Sequence, residues 1–341
     1  MPVATRERYR AMLDTAAAGG YALPAINVTS SETLIAVLRG LADAKADGII
    51  EVTVGGASYL GGDEAGAAAG ARVLAGMAPE LAAPYPTWVA LHTDHCPPDH
   101  AEDFLEPLIA ESERRVASGG EPLFASHMFD GSTLPLEDNL ARSAALLERL
   151  AAIGVVLEVE VGVVGGEEDG IGAADTPSDR LYTTPADLER VAATLGTGER
   201  GRYLLAATFG NVHGHYAPGH VKLRPEILAE GQAIAAGVRP GARFDYVFHG
   251  SSGSTPAELA AAIEHGVVKV NLDTDAQYAY TRAVADHMFR EYDGVLHVDG
   301  GIGRKSAYDP RAWGRRAREA MAARVAQAAD ELGAAGRTIG G

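Results

Sequence analysis

The sequence predicts an α/β protein, a (β/α)8 or TIM barrel with a long active-site loop after its fifth strand and an extra C-terminal helix. Short apolar runs alternate with segments of helical periodicity along the whole chain, which is typical of a parallel sheet covered by helices. We count eight such units, and eight strands close a barrel. No Gly-x-Gly-x-x-Gly pattern follows the first strand, which disfavours an open dinucleotide-binding sheet.

Each element is bounded by its own turn or capping signal, mainly Gly, Pro, Ser, Thr or Asp. The predicted strands cover residues 22–27, 48–54, 87–91, 123–126, 155–161, 203–208, 246–249 and 267–272. The predicted helices cover residues 33–46, about 64–78, about 100–117, 136–152, 185–195, 225–236, 256–265, 275–291 and 310–332. No low-complexity linker separates the units, so we expect a single barrel domain over residues 1–341.

Composition and charge exclude several classes of partner. No apolar stretch approaches the roughly 20 residues of a membrane span, and the charged amino terminus lacks the apolar centre of a signal peptide. Cys96 is the only cysteine, so an internal disulfide is excluded and any metal ligands must be His, Asp or Glu. With a net charge of −17 and no dense Lys/Arg cluster, nucleic acid is an unfavourable partner. We therefore expect a cytoplasmic protein without a membrane or nucleic-acid partner.

Polar residues concentrate at the predicted strand ends, where the βα loops of a barrel build its active site. They are Ser58, Asp94, His95, His127, Asp130, Glu158, Glu160, Asn211, His213, His249, Asn271, Asp273 and Asp275. A single histidine of this kind is more often structural. Three imidazoles on three strand ends, His95, His213 and His249, instead favour a zinc site with an open fourth position.

The stretch from His92 to Pro98 packs two imidazoles and a carboxylate behind an apolar run. In an extended strand His92 and His95 would face opposite sides, as would Asp94 and His95, so only one histidine need be a ligand. His92 and His127 fit packing or supporting positions better. Asp130 and Glu160 lie on neighbouring strand ends, where they could hold a second metal or pair with an arginine.

Two loops add to this picture. Residues 165–170 place three acids between glycines in a loop of about twenty residues, which is long enough for a lid, although a solvated acidic turn would look similar. Residues 249–254 read His-Gly-Ser-Ser-Gly-Ser before a helix and could bind phosphate through backbone N–H groups, or form a simple turn.

Six ordered motifs carry a family resemblance. They read Thr-Asp-His-Cys at 93–96, Ser-His-Met-Phe-Asp at 126–130, Leu-Glu-Val-Glu at 157–160, Gly-Gly-Glu-Glu-Asp-Gly at 165–170, Phe-Gly-Asn-Val-His-Gly at 209–214 and Asn-Leu-Asp-Thr-Asp at 271–275. Together they resemble the class II, metal-dependent fructose-bisphosphate aldolases, in their longer bacterial dimeric branch. The resemblance extends along nearly the whole chain, through residues 308–313.

The resemblance implies a carbon–carbon lyase of glycolysis and gluconeogenesis. It would cleave fructose 1,6-bisphosphate reversibly into dihydroxyacetone phosphate and glyceraldehyde 3-phosphate, through an enediolate that a metal stabilises. Catalytic Zn²⁺ is implied on His95, His213 and His249, with Asp130 and Glu160 at a possible second divalent metal. A monovalent cation (K⁺ or Na⁺) beside one phosphate and a homodimer or higher homo-oligomer are also implied.

The resemblance also assigns residue roles. Asp94 would be the acid/base at the C4 hydroxyl and Glu168 the lid residue that exchanges the C1 proton. Substrate contacts are implied for Gly214, Gly250, Ser252 and Thr274 at one phosphate, for Ser58, Lys305 and Arg311 at the other, and for Asn271 and Asp273 at the hydroxyls. Ser251 stands where the family usually has glycine, which would be strained if that position needs a positive φ.

Three alternatives stay open. A tagatose-bisphosphate or other ketose-phosphate aldolase would differ at one hydroxyl. A Schiff-base aldolase could use Lys269, which shares parity with Asn271 on the eighth strand. A non-catalytic barrel that binds a sugar phosphate is the remote alternative.

Overall fold

The computed structural model describes residues 2–62, 64–168, 171–172, 181–213, 222–296 and 301–339, and for residues 166–168, 171–172 and 213 it describes the backbone alone. The strands are β1 (Leu23–Asn27), β2 (Gly48–Val52), β3 (Val89–Thr93), β4 (Ser126–Phe129), β5 (Val156–Val161), β6 (Gly165–Glu168), β7 (Ile171–Gly172), β8 (Tyr203–Ala207), β9 (Val212–His213), β10 (Tyr246–Phe248) and β11 (Val267–Leu272).

The helices cover the outside of the sheet and both chain ends. They are α1 (Arg6–Gly19), α2 (Ser31–Ala44), α3 (Val54–Gly61), α4 (Ala67–Ala82), α5 (Glu106–Ala117), α6 (Leu136–Ala152), α7 (Pro185–Leu195), α8 (Glu226–Val238), α9 (Pro256–Glu264), α10 (Thr274–Arg290), α11 (Tyr292–Val295), α12 (Lys305–Tyr308) and α13 (Pro310–Glu331). Among the described residues, no helix combines the length and the apolar character needed to cross a bilayer.

The predicted barrel is confirmed. Eight parallel strands close in the order β1-β2-β3-β4-β5-β8-β10-β11, and β11 pairs with β1. The register places Asn27 beside Glu51 and Glu51 beside His92, so these side chains form one row across three strands. This row is fully or almost fully buried, which gives the barrel interior a polar layer beneath its mouth.

Capping residues set where several helices begin. Ser30, Thr184 and Thr255 each accept a hydrogen bond from the backbone N–H three residues later and complete a capping box. Such caps satisfy backbone donors that a helix cannot pair internally. The predicted starts of these three helices therefore differ from the structure by no more than about two residues.

Two predicted strand ranges are wrong. The third strand is Val89–Thr93 instead of 87–91, and the fourth is Ser126–Phe129 instead of 123–126. Both shifts have one cause: His92, Thr93 and His127 are polar residues that follow the predicted apolar runs, but they belong to the buried strands themselves. A polar barrel interior removes the hydrophobic signal that marks a strand end.

The stretches predicted as loops contain further elements. β6 pairs in parallel with β9 and antiparallel with β7, forming a small three-stranded sheet outside the barrel. Helix α3 occupies the stretch between the second predicted strand and the helix predicted from about residue 64, and Thr53 caps its first turn. Residues 169–170 and 173–180 of the loop predicted after the fifth strand lie outside the described residues, as do residues 214–221 after β9.

Candidate active site

His95 has an unusual backbone conformation at the end of β3. Its φ is 23°, and among the described non-glycine residues only Lys45 also has a positive φ. Such conformations cost about 1–3 kcal/mol and concentrate at functional sites. Because the extended geometry ends at Asp94, the alternation expected for a strand does not apply. Asp94 and His95 consequently both reach the same cluster of side chains with His249.

His95 and His249 form the centre of the site. His95 Nε2 lies 2.9 Å from His249 Nδ1, and the two rings meet edge-on. Ligand atoms of Asp94, His95 and His249 all lie within 4.8 Å of one another. Imidazole and carboxylate are the donors that a divalent metal of the zinc type prefers, so this group can hold one.

Hydrogen bonds on the far side of each ring indicate where the protons lie. His95 Nδ1 is 2.9 Å from Asp130 Oδ2, and His249 Nε2 is 2.7 Å from Glu158 Oε1. A carboxylate accepts, so each of these ring nitrogens carries a proton and the opposite nitrogen carries a lone pair. Two lone pairs therefore face each other across 2.9 Å, an arrangement that needs a shared proton or a metal cation between them.

Asp94 is held by two amide side chains. Asn27 Nδ2 donates to Asp94 Oδ2 at 2.8 Å, and Asn271 Nδ2 donates to Asp94 Oδ1 at 3.1 Å. Burial by itself raises the pKa of the Asp94 carboxyl, but the neighbouring His95 and the Lys269 ammonium outweigh it and hold the pKa well below its usual range. Asp94 is thus a fully buried anion at the edge of the metal-binding group.

Asp130 and Glu160 flank His95 from the other side. Glu160 Oε2 lies 3.6 Å from His95 Nδ1, and ligand atoms of all three residues lie within 4.8 Å of one another. The hydrogen bond from His95 outweighs the effect of burial, and the pKa of Asp130 falls to about 2. The arginine salt bridge considered as an alternative is not among the contacts that the described residues give Asp130.

Lys269 lies below the site, in the closed interior of the barrel. Its Nζ is 2.6 Å from Glu51 Oε1 and 2.7 Å from Glu158 Oε2, and all three side chains are fully buried. Although burial lowers its pKa, the Glu158 and Glu51 carboxylates raise it overall above its usual range. Lys269 is therefore a permanent ammonium, which cannot attack a carbonyl, and this argues against a Schiff-base mechanism.

The loop after β10 approaches the neighbouring loop closely. Gly250 has φ 63°, and a Cβ there would lie 2.5 Å from the backbone oxygen of Val212. Ser251 does not share the positive φ, so serine is unstrained there, and its hydroxyl donates to Asn271 O at 2.7 Å. Asn211 donates to His249 O at 2.9 Å. These contacts join the predicted phosphate loop to β11 and to the chain that leads into His213.

A cleft of about 220 Å³ opens at the mouth beside Asp94 and its partner Asn27. Its lining includes Thr29, Thr53, Gly56, Asp273 and Gln277. Asp273 Oδ1 accepts a hydrogen bond from Gln277 Nε2 at 2.7 Å. Ser58 lies half-buried on α3, which borders this cleft.

The remaining predicted site residues stay predictions. Ser252 is buried in the loop after Gly250, and Thr274 opens α10. The side chains of Glu168 and His213 and the whole of Gly214 lie outside the described residues. Lys305 begins α12 at the surface, and the Arg311 side chain is 75% exposed and paired with Asp309 of its own turn.

The site contains residues that the motifs did not indicate. Asn27 orients Asp94, Glu51 shares Lys269 with Glu158, and Gln277 holds Asp273. For Asn27 and Glu51 the available signal was the inward parity of each residue on its strand, but parity alone does not show which strands are neighbours. Gln277 lies on helix α10, where no such signal exists.

A parallel barrel with imidazoles and carboxylates grouped at the carboxyl ends of its strands defines a metal-dependent enzyme of the TIM-barrel class. The model of the family described as fructose-bisphosphate aldolase class-II matches residues 7–337. The chain belongs to this family and is a class II aldolase, a carbon–carbon lyase whose class uses a divalent metal.

Individual relatives agree along the whole length. A fructose-bisphosphate aldolase of Streptomyces galbus is 55% identical over 341 residues, covering 99% of this chain and 100% of that protein. One of Mycobacterium tuberculosis strain H37Rv is 52% identical over 344 residues, with 99% of each chain covered. The crystal structure of the Campylobacter jejuni fructose-bisphosphate aldolase has a TM-score of 0.82 and 33% identity, covering 98% of this chain and 96% of that one.

Proposed function

We propose that this aldolase cleaves fructose 1,6-bisphosphate reversibly into dihydroxyacetone phosphate and glyceraldehyde 3-phosphate. The observation that carries the proposal is the buried Asp94 carboxylate, held by Asn27 and Asn271 next to the facing nitrogens of His95 and His249. It combines a fixed base with a metal-binding group, the two functions that cleavage of a β-hydroxyketone needs.

The proposed metal is zinc on His95, His213 and His249. The donor set fits, because the lone pairs of His95 Nε2 and His249 Nδ1 face each other and need a cation or proton between them. When bound, a divalent ion acts as a Lewis acid toward the negative charge that develops on the ketose carbonyl oxygen. Asp130 and Glu160 are the proposed ligands of a second divalent ion, and a monovalent cation is proposed beside the phosphate loop.

Asp94 is the proposed base. The bond between C3 and C4 breaks, its electron pair stays with the C3 fragment, and the C4 hydroxyl proton moves to a carboxylate oxygen of Asp94. The depressed pKa keeps Asp94 ionised at neutral pH, so the base is present before substrate binds. Asn27 and Asn271 fix both oxygens, which limits the reorientation needed for proton transfer.

Glu168 is the proposed second proton carrier. It lies on β6, whose backbone pairs with Val212 and His213 of β9, so the predicted lid segment begins beside a proposed metal ligand. In the cleavage direction Glu168 returns a proton to the enediolate fragment. A lid that closes over this carbon also keeps water from it.

Backbone and hydroxyl donors are proposed to bind the substrate. Gly250, Ser252 and Thr274, with Gly214, serve one phosphate, and Ser58, Lys305 and Arg311 serve the other. The cleft lined by Asp273 is proposed to take the sugar chain. Among the described residues, Asn271 Oδ1 is buried without a hydrogen-bond donor, which suits a substrate hydroxyl.

A coupled aldol-cleavage assay tests the substrate. Fructose 1,6-bisphosphate and tagatose 1,6-bisphosphate are compared on one preparation whose metal content is also measured. We expect a higher kcat/KM for the fructose compound and bound zinc in the active fraction. A preference for the tagatose compound would establish the alternative aldolase, and cleavage of neither would refute the proposal.

A homodimer is proposed through the outer helices. Tyr278 and Phe289, about three helical turns apart on one face of α10, are exposed, Phe289 to 81%, and Ile302 nearby in sequence is 85% exposed. Light scattering should give the mass of a dimer or higher oligomer, and Phe289→Asp should lower it. A monomeric wild type would contradict this.

We also propose that the chain forms a single domain and works in the cytoplasm, where Cys96 would stay reduced.

A further inference from the structure

Four side chains form a closed charge cluster beneath His249, which we term the interior cluster: Glu51, His92, Glu158 and Lys269. All four are fully buried. Lys269 Nζ lies between the two carboxylates, at 2.6 Å from Glu51 and 2.7 Å from Glu158. His92 Nδ1 forms a 2.8 Å hydrogen bond with Ser126 Oγ, and His92 Nε2 lies 3.5 Å from Glu158 Oε2. No step of the proposed cleavage uses these groups.

Glu158 connects the interior cluster to the site above it. One of its oxygens, Oε1, lies 2.7 Å from His249 Nε2, and the other, Oε2, lies 2.7 Å from Lys269 Nζ. The two oxygens of the Glu158 carboxylate therefore contact different groups: Oε1 contacts the His249 imidazole toward the mouth, and Oε2 contacts the Lys269 ammonium in the interior. Glu51 shares the same ammonium, but among the contacts that the structure describes it has none to His249.

We propose that Lys269 and Glu158 are a positioning pair that holds His249 with its proton on Nε2 and so presents the Nδ1 lone pair to the metal. The Asn271 amide indicates the same tautomer, because its Nδ2 is 3.2 Å from His249 Nδ1 and can only donate there; a bound metal would replace this contact. The inference rests on the proposed metal site and deepens it by naming residues that set the affinity of one ligand.

Lys269 fixes the other end of the Glu158 carboxylate. Its Nζ donates to Oε2 at 2.7 Å, which leaves Oε1 turned toward His249 Nε2 as the acceptor. A charged acceptor behind a metal-binding imidazole makes the imidazole a stronger donor and fixes its orientation.

The structure offers a matched control. Glu51 and Glu158 are both fully buried, both bind Lys269 and differ in that only Glu158 contacts His249. Glu51→Gln changes a buried carboxyl group of the interior cluster without touching a ligand. Glu158→Gln removes the charge behind His249. The double variant Glu158→Gln/Lys269→Met removes both members of the pair, so no ammonium is left facing the new amide.

The test is the zinc dissociation constant of the full-length protein, measured by competition with a chromogenic chelator. We expect Glu158→Gln and the double variant to raise Kd by about ten- to a hundred-fold, and Glu51→Gln to leave it unchanged although its thermal unfolding shifts. ¹⁵N spectra of the histidine rings should show Nε2 of His249 protonated in the wild type. If Glu158→Gln fails to fold, the double variant carries the test.

Two outcomes would overturn the inference. One is a wild-type Kd in the double variant, and the other is an equal loss of affinity in Glu51→Gln, which would indicate a general effect of disturbing the interior cluster. A wild-type protein that binds no zinc would instead refute the proposed metal site. The two failures are thus distinguishable in one set of titrations.

Discussion

Asn27 and Asp94 are joined by a 2.8 Å hydrogen bond between the last residue of β1 and the residue that follows β3. The bond fixes one carboxylate oxygen, and Asn271 fixes the other. The proposed base is thus held by an amide that lies far from Asp94 in sequence and belongs to none of the family motifs quoted above.

Replacing Asn27 with leucine should impair catalysis without unfolding the protein. Loss of a hydrogen bond to a charged group costs about 1.5–3 kcal/mol, so we expect kcat/KM to fall roughly ten- to a hundred-fold. Gln232→Ala is the control, because this amide bonds to the backbone of Phe244 and His265, away from the cluster. It should lower Tm and leave kcat/KM unchanged. An Asn27→Leu variant with wild-type kinetics would contradict the role of the amide.

The Asp94→Asn variant distinguishes a role of Asp94 as the catalytic base from a role as a metal ligand. The asparagine has the same size, and its new NH2 group can donate to Asn27 Oδ1 once the Asn27 amide flips. It cannot accept the hydroxyl proton, so we expect kcat to fall about 10²- to 10⁴-fold. Zinc content, measured by atomic absorption on the same sample, should stay at the wild-type level. Because Asp94 lies within the metal-binding group, loss of zinc together with activity would show that it is a ligand instead.

Gly250→Ala tests the close approach of the phosphate loop. A Cβ at this position would meet the Val212 backbone, and the backbone also has a positive φ. Gly241 also has a positive φ of 79°, but a Cβ there would meet open space, so substitution at Gly241 measures the cost of the positive φ alone. We expect Gly241→Ala to cost about 1–2 kcal/mol of stability. Gly250→Ala should cost more and raise KM for the bisphosphate, and equal effects of the two substitutions would contradict the argument.

Glu51 should make stability depend on pH. Burial raises its pKa well above the ordinary value of 4.5, and the Asp94 and Glu158 carboxylates add to this while Lys269 opposes it. Above pH 4.5 the unfolded chain loses this proton and the folded chain keeps it, so the group lowers stability as pH rises, by up to about 1.4 kcal/mol per pH unit.

Urea unfolding of the metal-free protein between pH 5 and pH 8 measures this effect. Glu51→Gln should gain stability relative to the wild type as the pH rises, whereas Glu148→Gln, at an exposed position of α6, should follow the wild type. Glu158 should not contribute in this range: burial raises its pKa, but Lys269, His92 and His249 outweigh burial and lower the pKa to about 2. Parallel curves for Glu51→Gln and wild type would contradict the prediction.

The fold could be predicted because helical and apolar periodicities alternate through all eight units. The errors occur where the barrel interior is polar: His92 and His127 follow the predicted apolar runs, although both lie inside strands. The bend at His95 was equally hidden, because a positive φ at a histidine has no sequence signal.

The motifs predicted that Asp94, His95 and His249 would lie together at the strand ends, and the structure groups them; their roles stay predictions. The supporting residues were not predictable, because Asn27, Glu51 and Lys269 act across strands that meet only when the barrel closes. The position of Lys269 on the eighth strand left it open as the nucleophile of a Schiff-base mechanism. Its ion pairs with Glu51 and Glu158 indicate an electrostatic role instead.

Zinc titration of the metal-free protein tests the central claim, that cleavage depends on a cation between His95 and His249, most directly. Fructose 1,6-bisphosphate cleavage is measured against bound zinc after removal of metal with EDTA. We predict no activity without metal and recovery in proportion to zinc bound. Full activity in the metal-free protein, with inactivation by borohydride in the presence of substrate, would contradict the account.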